Sequence, residues 1–388
     1  MSKTGHYIEK KYDGETVRAF VPDALPKVDS LGMTAADWEL FGNAKLALGR
    51  LDSIATLLPD PSLFIYFYVR KEALLSSQIE GTQSSLSDLL LFESEEEPGV
   101  PLDDVREVSN YIAAVYHGLS RIRDDKFPLV GRLIKEMHAK LLEKGRGKEK
   151  SPGEFRTTQN WIGGSRPGNA RYVPPPPELV NECMSGLERF LHDQPEHTPA
   201  LLKAALAHVQ FESIHPFLDG NGRVGRLLIT LILCSENVLH EATLYLSLYL
   251  KQNRDEYYEL LQRVRTEGAW LEWIRFFLRG IEQTAIQATD TATRVLKLFE
   301  TDQKKIDQLE KGPAMAHRVH TYLREHAIIA SIPKTAKILD VSVPSIRSAV
   351  ERLTELGIVQ QLGERKWGRS YAYTRYLAIL SEGTEPLR

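Results

Sequence analysis

Cysteine is scarce in these 388 residues: Cys183 and Cys234 are the only two, and neither sits in a CxxC. That excludes a disulfide framework and points to a reducing compartment. Long apolar runs are missing too. The longest, near Leu227 to Cys234, falls far short of the ~20 residues that span a bilayer. The opening MSKTGHYIEKKYDGE has no apolar stretch of the kind a secretory leader needs, so a cytoplasmic protein with no membrane contact is expected. Neither sign of charge dominates. Lys and Arg number 49 against 52 Asp and Glu, a net charge of -3, which excludes a polybasic nucleic-acid coat. No internal repeat or low-complexity tract interrupts the chain. What remains is ordinary for a globular protein: 42% hydrophobic and 26% charged residues, long enough for two or three domains.

Helical periodicity dominates. Residues 1 to about 30 are polar and punctuated by proline, and read as an irregular arm. Trp38, Phe41, Ala44, Leu48 and Leu51 then step by three and four, and Pro59 and Pro61 close that helix. A second helix is expected from about Ser62 to Glu80, with Gly81 as its stop. The acidic FESEEEPGVPLDD reads as a solvated loop, and two further helices are expected over 104–145. From Lys144 to Pro177 the composition turns to Gly, Pro, Ser and Arg, and NWI and RYV flank Gly-rich turns, as in a short β-hairpin. From Ile281, Ala285, Ala288, Ala292, Val295 and Phe299 mark a narrow-striped connecting helix, interrupted at Asp302 and resumed at Ile306 and Leu309. Residues 313–388 read as helix, helix, turn, helix, hairpin, the winged-helix order.

The richest segment is His215-Pro-Phe-Leu-Asp219-Gly220-Asn221-Gly222-Arg223-Val224-Gly225-Arg226. It lies between two apolar helices and opens the second. Gly220 and Gly222 let backbone N–H groups approach an anion at a helix N-terminus. Asn221 can donate to a phosphoryl oxygen. Arg223 and Arg226 present forked donors to phosphates further along a chain. Asp219 is a hard oxygen ligand suited to Mg²⁺ beside phosphates. His215 titrates in the range a general base requires. Gly220, Gly222 and Gly225 also fit GxGxxG formally, but that fingerprint needs a preceding strand, and LLKAALAHVQFESI reads as helix. A Walker A GK[ST] is absent.

The loop resembles the signature of the Fic family of nucleotidyl transferases, HPFxDGNGRxxR, at every fixed position. The resemblance extends from about Thr34 to Tyr376. It implies a mainly α fold: a helical Fic core with a small β-hairpin flap, and a C-terminal winged helix. It divides the chain into an inhibitory helical region (1–103), a catalytic core (104–280), a connecting helix (281–312) and the winged helix (313–388). By resemblance, His215 deprotonates a Ser, Thr or Tyr hydroxyl that attacks the α-phosphate of ATP. Asp219 holds Mg²⁺, and Gly220, Asn221, Gly222 and Arg223 cradle phosphates, with Val224 and Gly225 completing the ATP-binding run. Arg226 binds the γ-phosphate. A kinase branch of the family carries Lys where Gly222 stands, so the glycine favours AMP transfer, while a CDP-choline-using relative shows that the motif alone does not fix the donor. Tyr257 and Tyr258 match a recurrent Tyr-Tyr pair of the purine pocket.

Ser76-Ser-Gln-Ile-Glu80-Gly81 is similar to the family's inhibitory pattern [ST]xxxE[GN], in which Glu80 would occupy Arg226. In some relatives this Glu also assists AMP removal. The flap, by resemblance, registers an extended target by strand addition, with Trp161, Ile162, Gly163, Tyr172 and Val173 as its docking edge. The segment 313–388 carries eleven Lys or Arg against seven Asp or Glu, about +4. Arg347 and Arg352 lie on its third helix, and Arg365, Lys366 and Arg369 in its wing, a pattern compatible with DNA contact. Glu351 and Glu355 on the same helix argue for a scaffold or dimer role instead. The expected partners are therefore a hydroxyl-bearing protein target and a second copy of the chain, with DNA as the alternative. The alternative functions are a DNA-binding regulator that uses the core as a nucleotide sensor, and an enzyme that mainly removes AMP.

Overall fold

The computed structural model describes residues 4–12, 14–57, 61–94, 100–362 and 370–386. Two antiparallel strands come first, β1 (Gly5–Tyr12) and β2 (Glu15–Pro22), with Ile8 opposite Ala19. This corrects the expected irregular arm. The overlooked signal is Asp13-Gly14, a hairpin dipeptide between two alternating runs.

Helices follow: α1 (Ala35–Leu57), α2 (Pro61–Ile79), α3 (Leu86–Glu93), α4 (Leu102–Arg123), α5 (Gly131–Leu141) and α6 (Val180–Leu191). Next come α7 (Ala200–Ile214), α8 (Asn221–Ser235), α9 (Ser247–Gln252), α10 (Arg254–Glu267) and α11 (Trp270–Asp307). Asp37 accepts from the Thr34 N–H and hydroxyl at the start of α1, and Arg275 of α11 donates to it at 2.6 Å. One carboxylate therefore caps α1 and ties it to α11. Along α8, Leu227 to Leu233 is buried on every face, so the helix lies in the centre of the bundle.

The long helix starts earlier than the stripe from Ile281 suggested. Its 38 residues, about 57 Å at 1.5 Å each, run unbroken across the expected boundary at 280/281. Its first turns bury Trp273 and Phe277 in the core. Asp302, the interruption in its stripe, is wholly buried. It accepts from Tyr373 Oη and from Arg375, both at 2.7 Å, and from Lys305 at 3.0 Å.

Tyr373 and Arg375 belong to the C-terminal segment: α12 (Pro313–His326), β3 (Ile328–Ile329), α13 (Ile332–Ile338), α14 (Val343–Glu355), β4 (Gln360–Leu362), β5 (Ser370–Ala372) and α15 (Thr374–Leu380). Its three strands are ordered β3-β5-β4. Arg365, Lys366 and Arg369 lie outside the described residues. The segment docks on the rest through Tyr376, whose ring packs on Phe67 of α2 at 5.3 Å. Its tail reaches further. Thr384 O accepts from Gln78 Nε2 at 2.7 Å, and Lys251 Nζ donates to Gln78 Oε1 at 2.7 Å and to Glu385 O. The last turn of α2 is thus held from below. Among the described residues no helix is long and apolar enough to cross a membrane.

Candidate active site

The site is built where α7 ends and α8 begins. His215 caps α7 in the left-handed region (φ 47, ψ 61), its N–H bonded to Phe211 O at 2.9 Å. The chain turns there, and Phe217 anchors the turn by stacking on His138 with ring centroids 3.7 Å apart. Gly220, at φ 76, releases the chain into α8. The opening N–H groups of α8 have no intrahelical acceptor and point into the loop, as an anion site requires.

Asn221 departs from expectation. Its side chain accepts from Phe217 N and donates to Phe217 O, both at 2.8 Å, and is buried. Both functions of its amide are therefore used in closing the loop, and only its backbone N–H is left for a phosphate. Val224 and Gly225 also depart. Val224 is fully buried, and Gly225 faces α7, its carbonyl accepting from His208 Nδ1 at 3.0 Å. They pack the two helices together. Arg223 is buried against Glu107 of α4 at 3.0 Å, with Asp219 at 3.6 Å. Its guanidinium neutralises one carboxylate and braces the other. Burial raises the Glu107 carboxyl above its ordinary range, although Arg223 and Arg146 pull it back. Glu107→Ala strands the buried guanidinium, so a loss of about 3–5 kcal/mol of stability is expected, read as a lower urea midpoint.

His215, Gly222 and Arg226 line one cavity of about 500 Å³ with Glu80, Glu212, Arg265, Tyr257 and Tyr258. Arg226 is almost wholly buried. It donates from Nε to Ser76 Oγ at 2.9 Å, and from Nη2 to Ser76 O at 3.0 Å and to Glu80 Oε1 at 2.6 Å. Gly81, at φ 104, ends the turn that carries Glu80 across. Gly222 permits the approach, because a Cβ there would stand 2.4 Å from Glu80 Oε1. Burial works to raise the Glu80 carboxyl, but the charge and hydrogen bond of Arg226, with Arg223 and His215 behind, hold it below its ordinary range. The Tyr257 hydroxyl donates to His208 Nε2 at 2.8 Å and is buried, so Tyr258 is the more open of the pair. Burial pushes the Tyr258 hydroxyl up to about 12, leaving it neutral.

The flap is slighter than a hairpin. A single bridge pairs Ile162 with Tyr172, and a short 3₁₀ turn, Pro167–Asn169, joins them. Trp161 and Gly163 are exposed. Tyr172 and Val173, expected on the docking edge, are buried instead. The Tyr172 hydroxyl donates to Ser213 O at 2.5 Å, and Val173 O accepts from Phe20 N of β2 at 2.9 Å. The N-terminal hairpin has taken that edge, leaving 161–163 as the open one. Arg156 stitches flap to loop. Its Nε donates to His215 O at 2.9 Å and its Nη2 to Pro175 O at 2.5 Å. No local pattern marked Arg156, Glu107 or Glu212, since each acts on residues brought near by folding.

For a divalent cation, the test is Asp219. Its Oδ1 accepts from Gly220 N at 2.6 Å, while no protein donor among the described residues is placed on Oδ2, and the side chain is about a third exposed. No cluster of three or more His, Cys, Asp or Glu that could hold a metal occurs among the described residues. One open carboxylate beside the N-terminus of α8 fits the donor set of Mg²⁺, which takes one or two carboxylates and fills its shell with phosphate and water.

Residues 38–120 match the model of the Fic/DOC family N-terminal region, and residues 128–233 match that of the Fic/DOC family itself. Protein adenylyltransferase Fic of Culex quinquefasciatus is 30% identical over 232 residues, covering 58% of this chain and 42% of that protein. The Drosophila melanogaster protein of the same name is 30% identical over 230 residues, covering 57% and 43%. The chain thus aligns with less than half the length of these relatives. Among solved structures, a Fic family protein from Desulfovibrio desulfuricans G20 superposes with a TM-score of 0.57 at 20% identity, covering 88% of this chain and 96% of that one. Fic-1 from C. elegans gives 0.51 at 24% identity, covering 68% and 74%. These two likenesses bear on the fold, which is mainly α as expected.

Proposed function

Because this chain belongs to the Fic/DOC family, we propose that it transfers AMP from ATP to hydroxyl side chains of a protein, itself included, and that Glu80 restrains it. The observation that carries the reading is one cavity in which His215, the start of α8 and Arg226 converge, with a carboxylate on Arg226. In the reaction the target hydroxyl oxygen bonds to the α-phosphorus and its proton passes to His215. The bond to the β-phosphate oxygen breaks, and pyrophosphate leaves. The N–H groups of Gly222 and Arg223 and the guanidinium of Arg226 meet charge that grows on the phosphates. Asp219 would hold Mg²⁺, which neutralises the leaving pyrophosphate when bound. Tyr258, with Arg254 5.3 Å from its ring centre, offers the purine a stacking face.

The exposed edge at 161–163 is the docking strand we assign to the target. Residues 313–388 we read as a winged helix acting as a scaffold, with a homodimer as the working form and the cytoplasm as its compartment. The buried Asp302 network and the Tyr376–Phe67 contact support the scaffold role. On α14, exposed Arg347 is offset by exposed Glu351 and Glu355, which weakens the case for DNA. The test is to incubate the Glu80→Gly protein, alone and with cell lysate, with Mg²⁺ and ATP labelled at either the α- or the γ-phosphate. Protein-bound label from the α-position only is expected. Label from the γ-position only would make the enzyme a kinase, and none from either would remove the transferase reading.

A further inference from the structure

We propose that Glu212 is a positioning residue for this transfer: its carboxylate takes the hydrogen bond of His215 Nδ1–H and so lets His215 accept the target's proton. The inference rests on the AMP-transfer reading.

Two buried polar atoms, one on each side chain, lack hydrogen-bond partners here. His215 Nδ1 has none, and neither has Glu212 Oε1. Glu212 Oε2 stands 3.9 Å from His215 Nδ1. Buried atoms left unpaired are rare, and the gap to hydrogen-bonding range is only about 1 Å. Glu212 lies one turn before His215 on α7, so the helix itself delivers the carboxylate to the histidine. Gly225 makes its room, since a Cβ there would stand 2.5 Å from Glu212 Oε1.

The electrostatics show why such a group is needed. Burial, then Arg265 and Arg156, push His215 down to about 3. That keeps the ring neutral, with a lone pair to offer, but makes its imidazolium costly. Glu80 and the backbone carbonyl of Glu212 work against the two arginines. Glu80 does so in the restrained state, yet in the proposed reaction it gives up Arg226 to ATP. Glu212 stays in the wall of the cavity. It is faced by Arg226 from α8, by Arg265, Tyr257 and Tyr258 from α10, by Glu80 beyond α2, and by His208 and His215 along its own segment. Burial raises its carboxyl to about 7, Arg226 and Arg265 pulling it down and Glu80 pushing it up. Its ionised form is lost as pH falls through that range, and with it the support for the imidazolium.

The experiment measures kcat for uptake of α-label from about pH 5.5 to 9 in the Glu80→Gly protein, alone and with Glu212→Gln or Glu212→Asp added. The parent is expected to lose rate on the acidic side. Removing Glu80 takes away a charge that raises Glu212, which moves this limb to lower pH. Glu212→Gln should cut kcat at least about tenfold at pH 8, abolish the limb, and leave ATP affinity, read by nucleotide fluorescence, unchanged. Glu212→Asp should keep the limb and lose less rate. A Glu212→Gln protein with the parent's kcat and pH profile overturns the inference. Should the Gln variant fail to fold or to bind ATP, an Asp variant with undiminished kcat overturns it equally. Absence of label in the Glu80→Gly parent would instead count against the AMP-transfer reading.

Discussion

Glu80→Gly is expected to raise AMP incorporation by about ten- to a hundredfold over the unaltered protein, measured as the initial rate of α-label uptake at saturating ATP. The magnitude follows from the bond removed. Arg226 Nη2 and Glu80 Oε1 meet at 2.6 Å in a cavity wall, with the guanidinium almost fully buried. A charge-assisted hydrogen bond of this kind contributes about 1.5–3 kcal/mol, and about 1.4 kcal/mol is tenfold. The γ-phosphate must displace that contact to reach Arg226, and the substitution removes the competitor. Ser76 still orients the guanidinium from Nε, so the phosphate site survives the change. The pH dependence has a definite sign. Because Arg226 holds the Glu80 carboxyl below its ordinary range despite burial, the restraint is complete above that range. It is lost only as pH falls through the depressed value. The brake's own contribution to the ratio of variant to parent should therefore be constant from about pH 6 to 8, any change there coming from Glu212, whose carboxyl Glu80 raises. A Glu80→Gly protein that binds ATP but labels no faster would show that this contact is no brake.

His215→Ala in the derepressed protein is expected to lower kcat by about 10²- to 10⁴-fold, the span that a general base contributes, with ATP affinity little changed. The backbone bears on the choice of control. His215 sits in the left-handed region, where alanine is strained and asparagine is tolerated. His215→Asn thus tests the base with the loop kept in shape, and both variants should fall together. The loop does not depend on the imidazole. Phe217 stacks on His138, Asn221 bridges Phe217, and Arg156 binds the His215 carbonyl. Equal label uptake by His215→Asn and its parent would remove His215 from the chemistry.

The motif loop was legible because its parts are contiguous. Twelve residues carry a histidine, a carboxylate, three glycines and two arginines, and a helix start gathers them without help from distant segments. Even there, Asn221, Val224 and Gly225 were the hardest to place: the Asn221 amide closes the turn, and Val224 and Gly225 pack α8 against α7. Side chains that close a turn or pack two helices cannot be told by type from ones that face a ligand. The N-terminal hairpin was legible in Asp13-Gly14 and its alternating flanks, but charged and aromatic residues on its outer face hid the pattern. The start of α11 was obscured because its first turns, buried on several sides around Trp273, lack the narrow stripe of its later turns.

By itself the sequence determined the helical character, the anion-shaped loop with its candidate base, and the candidate brake, since each is set by local periodicity or by residues within one turn. Tertiary structure alone decided which groups share the cavity. It brought Glu80 across 146 positions to Arg226, set Glu107 against Arg223, closed one flap edge with β2, and set a Glu212 carboxylate oxygen 3.9 Å from His215 Nδ1. The physical reason is that charges and hydrogen bonds act over a few ångströms in space, and only the packing of α2, α4, α7 and α8 makes those ångströms short.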